Sequence, residues 1–507
     1  MSQFKGTLLL FLTQLALKGS TFLRQLLLAF FLGISKDVDL LLVAQLVPAI
    51  IAGILSGGAG EIMAISFRRD NTWNLHLLTL STVLLVFLTV VANGCYLLCL
   101  PLMGDMLNIR SENWEVFFML SICVILSKVP AAITSSLQQF IYVRNKYKSS
   151  MWVTVFAEMA GVLFIVVTAR SYGVMSFAAA LIVSAMVNAI GYLFLIRINV
   201  LLALQIRIWK VYYKRLRDTF SKIALLGFQT GITHLSLFAE RSIAFRYLSG
   251  GYVGAMNYAK SVTELPRLVL LSSILTTTYA KQIKLKAEDE NEYHAYTYKM
   301  NDFIGALAVL AQLFSIVFAP FILIMIYQRG AFDDNDIRMT LIIYQILTLG
   351  FVPGLMFGFL SRIMFIEGEN RVMLKWIVIK TIVELGLMYL LVFQFSQGIP
   401  IALTVGKFLI VAMIISFLLK RKPGLLDIRK FVWRGGAAFI VCVLLLWLNQ
   451  YLINDLLSVE KWRLALVYIP LIGLFGVFSI GVLFRTYPEI LTFIPALKKI
   501  RKLMRMG

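Results

Sequence analysis

The chain has 507 residues, of which 60% are hydrophobic and only 15% charged. Soluble domains are about half apolar and about a quarter charged, so neither a string of ordinary soluble domains nor a disordered chain fits these figures. The net charge of +22 suits the cytoplasmic loops of a membrane protein, where lysine and arginine collect, better than nucleic-acid binding.

A helix crossing a bilayer needs about 20 mainly apolar residues. Fourteen stretches meet that length or approach it: 6–32, 39–66, 77–100, 114–141, 150–169, 173–196, 223–247, 254–279, 301–326, 339–366, 372–394, 400–419, 435–450 and 464–484. The first follows Met1-Ser2-Gln3-Phe4-Lys5 without a small-residue cleavage pattern, so it is expected to be a retained span and not a removed signal. Cys95, Cys99, Cys123 and Cys442 all lie in apolar runs. They are expected to be buried thiols, outside any disulfide framework or metal site.

Placing the N-terminus in the cytoplasm puts 31 loop lysines and arginines on that side and 7 on the other. This asymmetry fixes the expected orientation, with both termini cytoplasmic. The longest cytoplasmic connection, 197–222, contains Ile206-Arg207-Ile208-Trp209-Lys210-Val211-Tyr212-Tyr213-Lys214. Its mixture of cations and aromatics suits a helix resting on anionic lipid, as does Lys498-Lys499-Ile500-Arg501-Lys502 near the end.

The chain resembles itself. Arg24, Gly33 and Pro48, 9 and 15 residues apart, recur as Arg241, Gly250 and Pro266, 9 and 16 apart, and Val129-Pro130 with Leu137 recurs as Val352-Pro353 with Leu360. The offsets match six spans, which predicts two parallel six-span halves, an arrangement that places substrate sites at the repeat interface. The expected domains are 1–222, 223–430 and 431–507, the last holding two extra spans and a basic tail. Pro48, Pro130, Pro266 and Pro353 lie within spans and should bend them.

Ten basic residues fall inside spans: Lys18, Arg24, Lys128, Arg241, Arg246, Lys260, Arg267, Arg362, Lys380 and Lys407. Asp39, Glu61, Glu158, Glu240, Glu264 and Glu384 are the acidic ones. A charge near the bilayer centre costs at least about 3 kcal/mol, so each must pair, snorkel or line water. The cationic excess suits an anionic guest. Gln14, Lys18, Thr21 and Gln25 form one helical stripe, and Asn257, Lys260, Glu264 and Arg267 another. A third aligns Thr230, His234 and Arg241. These stripes should face a wet cavity and not lipid. Lys128 and Lys407 are expected to snorkel, His234 to be a stripe residue, and Lys380 with Glu384 to satisfy each other at i,i+4. Arginine at positions 24 and 241 offers the fork that suits phosphate.

The sequence contains no G-x-x-x-x-G-K-[ST] phosphate loop, no H-E-x-x-H and no paired-cysteine metal pattern. No cofactor is therefore expected, and active transport would draw on Na+, H+ or the membrane potential. Glu240 and Glu384 are the carboxylates expected to serve such coupling.

Phe22-Leu23-Arg24, Gly33, Asp39 and Pro48, then Tyr258-Ala259-Lys260 through Glu264-Leu265-Pro266 and Tyr327-Gln328-Arg329-Gly330-Ala331-Phe332, give the chain a resemblance. It resembles the MOP superfamily (multidrug, oligosaccharidyl-lipid and polysaccharide exporters), most closely the MurJ/MviN-type lipid II flippases and Wzx-type polysaccharide flippases. The likeness covers most of 1–395. It implies an all-α polytopic membrane protein of about 14 transmembrane helices, with two six-helix lobes in a V plus a C-terminal helix pair that helps form a groove for a lipid tail. It maps the family's first-span arginine onto Arg24 and its following acidic residue onto Asp39. A second basic position falls on Lys18. Two departures stand out: Ala52-Gly53 and Ser261 occupy positions where these flippases commonly carry arginine. They make another undecaprenyl-linked oligosaccharide at least as good a fit as lipid II.

The resulting expectation is a flippase, not an enzyme. It would carry a polyprenyl-diphosphate-linked saccharide from the cytoplasmic to the outer face of a bacterial inner membrane by alternating access. Substrate contacts are assigned to Lys18, Arg24, Asp39, Arg241, Arg246, Lys260, Glu264 and Arg362. The expected partners are the undecaprenyl-diphosphate-linked glycan, anionic membrane lipids and glycan synthesis or polymerisation machinery, with no nucleic acid. The rivals are lipid II transport specifically, a multidrug exporter, which would want an acidic cavity, and a polytopic glycan-processing enzyme, which would want carboxylates or histidines gathered in a sizeable loop.

Overall fold

A computed structural model describes residues 19–56, 75–143, 147–196, 206–421 and 428–486. The regular elements among them are all helices, in the order α1 (Gly19–Leu32), α2 (Lys36–Ala44), α3 (Leu46–Ser56), α4 (Leu75–Leu98), α5 (Leu100–Met106), α6 (Ser111–Val143), α7 (Tyr147–Tyr172), α8 (Val174–Ile196) and α9 (Ile206–Tyr247). There follow α10 (Tyr252–Glu288), α11 (Glu290–Val317), α12 (Ala319–Tyr327), α13 (Asp334–Leu349), α14 (Phe351–Ile366), α15 (Asn370–Val392), α16 (Gly398–Arg421), α17 (Ile428–Ser458) and α18 (Lys461–Thr486). Among the described residues, nine stretches are long and apolar enough to cross a membrane, and the bent pair α13–α14 makes a tenth. The remaining expected spans fall on the short apolar helix α1 and on α9, α10 and α15, which carry more charge. All fourteen expected spans thus meet a helix or a helix pair, and the molecule is a polytopic all-helical membrane protein.

Prolines set the breaks. Pro48 and Pro353 cannot donate to Ala44 and Leu349, four residues back, and those are the residues at which α2 and α13 end. At the second break the helices bend by 44°. The freed backbone groups find side chains: Gln312 accepts from Val352 N–H at 3.1 Å, and Thr404 donates to the Ile346 carbonyl at 3.0 Å. Pro320 likewise leaves the Ile316 carbonyl to Asn449, which donates to it at 2.7 Å. In hydrocarbon such substitutes are obligatory. Pro130 is accommodated inside the continuous helix α6.

By packing, the chain forms two units. Unit 1 comprises Met1–Gly254 with Arg329–Phe332, and unit 2 comprises Ala255–Gln328 with Asp333–Gly507. The repeat boundary expected at 222/223 is a sequence division; the packing division falls at 254/255, so α9 belongs with unit 1. There α9 lies along α3, with Gly227 set against the Ile54 carbonyl. The core of unit 1 gathers Leu78, Leu85, Leu137, Ile141, Tyr192 and Leu216 from α4, α6, α8 and α9. Cross-helix hydroxyl pairs reinforce it, Ser150 with Tyr192 at 2.6 Å and Thr82 with Ser136 at 3.0 Å. The core of unit 2 centres on Tyr293, Phe303, Ile304, Phe359, Ile363 and Ile414 of α11, α14 and α16.

The cysteines require a correction. Cys442 is buried, Cys123 is intermediate, and Cys95 and Cys99 are exposed. An apolar run marks burial from water. On a spanning helix it marks equally well a face turned to lipid, and Phe87 (60% exposed) and Leu98 (83%) on α4 are exposed too.

Candidate functional site

Unit 1 brings charges from distant parts of the chain together. Arg24 reaches from α1 to α7, where its Nη2 lies 2.9 Å from Glu158 Oε2. Gly161 leaves room for it, since a Cβ there would stand 2.5 Å from that same Nη2. The two side chains keep 16% and 20% of their surface exposed. A pair of this kind is charge-balanced yet open to competition: a more highly charged oxyanion can displace the carboxylate from the arginine fork.

Asp39 and Arg241 have another use. Asp39 is 1% exposed, and its two oxygens accept from Gly251 N–H at 2.6 Å and Gly254 N–H at 2.7 Å. These amides open α10 and have no acceptor within it, so Asp39 caps that helix from α2. Arg241 donates to the Leu42 carbonyl at 3.0 Å, within the field of Glu240 and Asp39. Glu240 is itself buried. These three join α2, α9 and the first turn of α10. Arg246, at the end of α9, donates to the Met106 carbonyl at 3.0 Å and lies over the Tyr247 ring. Lys18 lies outside the described residues.

In unit 2, Lys260 is half-buried on α10 and Glu264 is exposed one turn later. Arg362 stands over the Tyr279 ring, 5.6 Å from its centroid. Lys380 and Glu384 make the i,i+4 pair at 2.6 Å, with Glu384 fully buried against Gly406 of α16. Beyond the spans, Lys286 holds Glu290 at 2.7 Å and Glu367 at 3.2 Å. Burial works to lower its pKa, but the two carboxylates outweigh it and hold the ammonium above the usual lysine range.

Sequence spacing does not reveal Glu158 as the partner of Arg24. The available signal was a carboxylate and a glycine one turn apart on a single apolar span. Nor does spacing show that His234 stands over Gly53, where a Cβ would lie 2.5 Å from its Cδ2. Among the described residues no group of three or more His, Cys, Asp or Glu is placed to hold a metal ion.

Unit 2 also contains an apolar groove of about 640 Å³, lined by Leu349, Val352, Phe408, Val411, Ala412 and Phe439 from α13, α14, α16 and α17. A second, of about 810 Å³, lies between α17 and α18.

Spanning helices broken at prolines, with charges buried inside them and apolar side grooves, describe a polytopic membrane protein that holds polar chemistry within its spans. The model of the lipid II flippase MurJ family matches residues 28–465, and the chain belongs to that family. No curated protein matches the chain significantly. Among solved structures, a lipid II flippase MurJ in an inward closed conformation aligns with a TM-score of 0.76 at 13% identity, covering 96% of this chain and 100% of that one. An inward-facing MATE-family multidrug resistance transporter of the MOP superfamily aligns at 0.65 and 13% identity, covering 82% and 98%. A MOP-superfamily transporter from Pyrococcus furiosus, described by the reversed polarity of its binding pocket, aligns at 0.51 and 17% identity, covering 83% and 96%. At these identities the alignments establish a shared fold.

Proposed function

We propose that this protein flips a polyprenyl-diphosphate-linked saccharide from the cytoplasmic to the outer face of a bacterial inner membrane by alternating access. The observation that carries the reading is the Arg24–Glu158 pair, a cross-helix ion pair on membrane-spanning helices, seated over a glycine and still partly open. A diphosphate crossing hydrocarbon unaided would bear the full cost of losing its hydration. The Arg24 fork replaces that hydration as a phosphate oxygen takes the place of Glu158. The apolar groove along α16 and α17 gives a long isoprenoid tail a path beside hydrocarbon. Membership of the lipid II flippase family supports a lipid-linked glycan as the class of substrate. Ala52-Gly53, at the place where the resemblance leads one to expect arginine, favours a saccharide other than the peptidoglycan precursor.

The 31-to-7 distribution of basic residues supports this sidedness, with both termini in the cytoplasm. Coupling to Na+, H+ or the membrane potential belongs to the same reading, with the buried Glu240 as the carboxylate at which a cation or proton would exchange; Glu384, locked to Lys380 on its own helix, is not placed to do so. Enzymes that assemble or polymerise the glycan are the natural partners.

The test is a protection assay on sealed vesicles carrying the purified protein and a fluorescent lipid-linked sugar. Arg24→Glu should abolish translocation while the protein still inserts. Translocation at the parent rate in this variant would refute the assignment.

A further inference from the structure

We propose that Lys128 of α6 and His234 of α9, the latter seated on Gly53 in unit 1, form an anion-binding site that takes one phosphate of the lipid-linked diphosphate. The inference rests on the flippase reading and adds to it a pair of groups that the sequence assigned to ordinary roles.

Lys128 is 17 residues from the start of α6 and 15 from its end. The stretch of α6 long and apolar enough to span, Ser111–Gln138, ends 10 residues beyond Lys128, about 15 Å at about 1.5 Å per residue and beyond the reach of a four-carbon stem. Snorkelling therefore does not account for it. Among the described residues no carboxylate pairs with Lys128, and no carboxylate acts on its charge. An unpaired ammonium at such depth is unfavourable and marks a functional site by default.

His234 comes from α9. Its ring occupies the space that any side chain at position 53 would fill: a Cβ on Gly53 would meet its Cδ2 at 2.5 Å and its Nε2 at 3.0 Å. The ring therefore lies against the α3 backbone. Lys128 acts on it as a like charge, and among the described residues no carboxylate offsets the two. α3 contributes a bare glycine backbone, α6 the ammonium, and α9 the imidazole.

Arg24 differs, because the fold supplies it with Glu158. At Lys128 and His234 the described residues supply donors and no acid. Three ammonium hydrogens and an imidazole N–H suit the oxygens of a phosphate, which brings the charge the site lacks. Thr230, one turn before His234 on the same face of α9, adds a hydroxyl nearby.

The test is a binding titration on the full-length protein in nanodiscs, with undecaprenyl diphosphate and inorganic pyrophosphate as separate probes. Lys128→Gln should weaken undecaprenyl diphosphate by about tenfold or more, His234→Gln by about threefold or more, and Lys128→Arg should stay within about threefold of the parent. His234→Gln keeps a polar group of similar size and carries the test alone should Lys128→Gln fail to fold. A parent that binds undecaprenyl diphosphate, with both glutamine variants within about twofold of it, would overturn this site and leave the flippase reading standing. A parent that binds neither probe would overturn both. Weakening confined to pyrophosphate would overturn the assignment to a lipid headgroup.

Discussion

Two ion pairs in spanning helices, one in each unit, show how differently the same chemistry is used. Arg24–Glu158 joins α1 to α7 at 2.9 Å and leaves both partners partly exposed. Lys380–Glu384 lies on one helix at 2.6 Å, and the glutamate side chain is 1% exposed. Each sits on a glycine, but Gly161 makes room for the end of a flexible arginine, whereas Gly406 makes room for a carboxylate fixed in the core. The first pair can exchange its anion. The second can only be kept or broken. Exposure, not the presence of charge, separates a site from a staple.

The largest effect should come from breaking the closed pair. Lys380→Met leaves the Glu384 charge buried without its ammonium, which costs about 3–5 kcal/mol. Thermal unfolding in detergent should show a large fall in midpoint, recovered for the most part in Lys380→Met/Glu384→Gln. An unchanged midpoint in the single variant would mean that the pair is not a staple. Gly406→Ala should come next, at about 1–3 kcal/mol, because the new methyl overlaps the Glu384 carboxylate. The matched change Gly161→Ala meets only the tip of Arg24 and the edges of α8, and should cost less than Gly406→Ala in the same assay. Equal losses would erase the distinction between the two glycines. Glu158→Gln leaves Arg24 without its carboxylate but with 16% of its side chain still open, so its loss of stability should be smaller than that of Lys380→Met in the same assay. Its signature should appear in binding: without its internal competitor, Arg24 should hold undecaprenyl diphosphate more tightly. Weaker binding in that variant would make Glu158 a contact and not a competitor.

What could be read from the sequence followed the distance over which each cause acts. Lys380 and Glu384 are one turn apart, so their pairing is visible in the spacing. Pro48 and Pro353 act on a carbonyl four residues back, and the helices end where that rule places them. Fourteen apolar stretches led to helices because hydropathy integrates over a whole span. The site was harder to see. Arg24 and Arg241 are equal in repeat position, yet one is held by Glu158 and the other by the Leu42 carbonyl. Only tertiary packing decides between those fates. The resemblance alone matches Asp39 to a ligand position, and its capping of α10 depends on two amides more than 200 residues away. His234 over Gly53 could not be inferred, because an absent side chain leaves no mark on the spacing.

The length of α9 bears on how this protein can be studied. Its 42 residues extend to about 63 Å, roughly twice the thickness of a hydrocarbon layer. Tyr212, Leu216 and Phe220 press its first part onto unit 1, while Lys210, Tyr213, Lys214 and Arg217 point outward. The first part of α9 therefore runs past the hydrocarbon at one end of the molecule, with its cations available to headgroups and water. An antibody fragment raised against that stripe would report, on intact versus opened cells, which way round the molecule is threaded, without altering a single spanning helix.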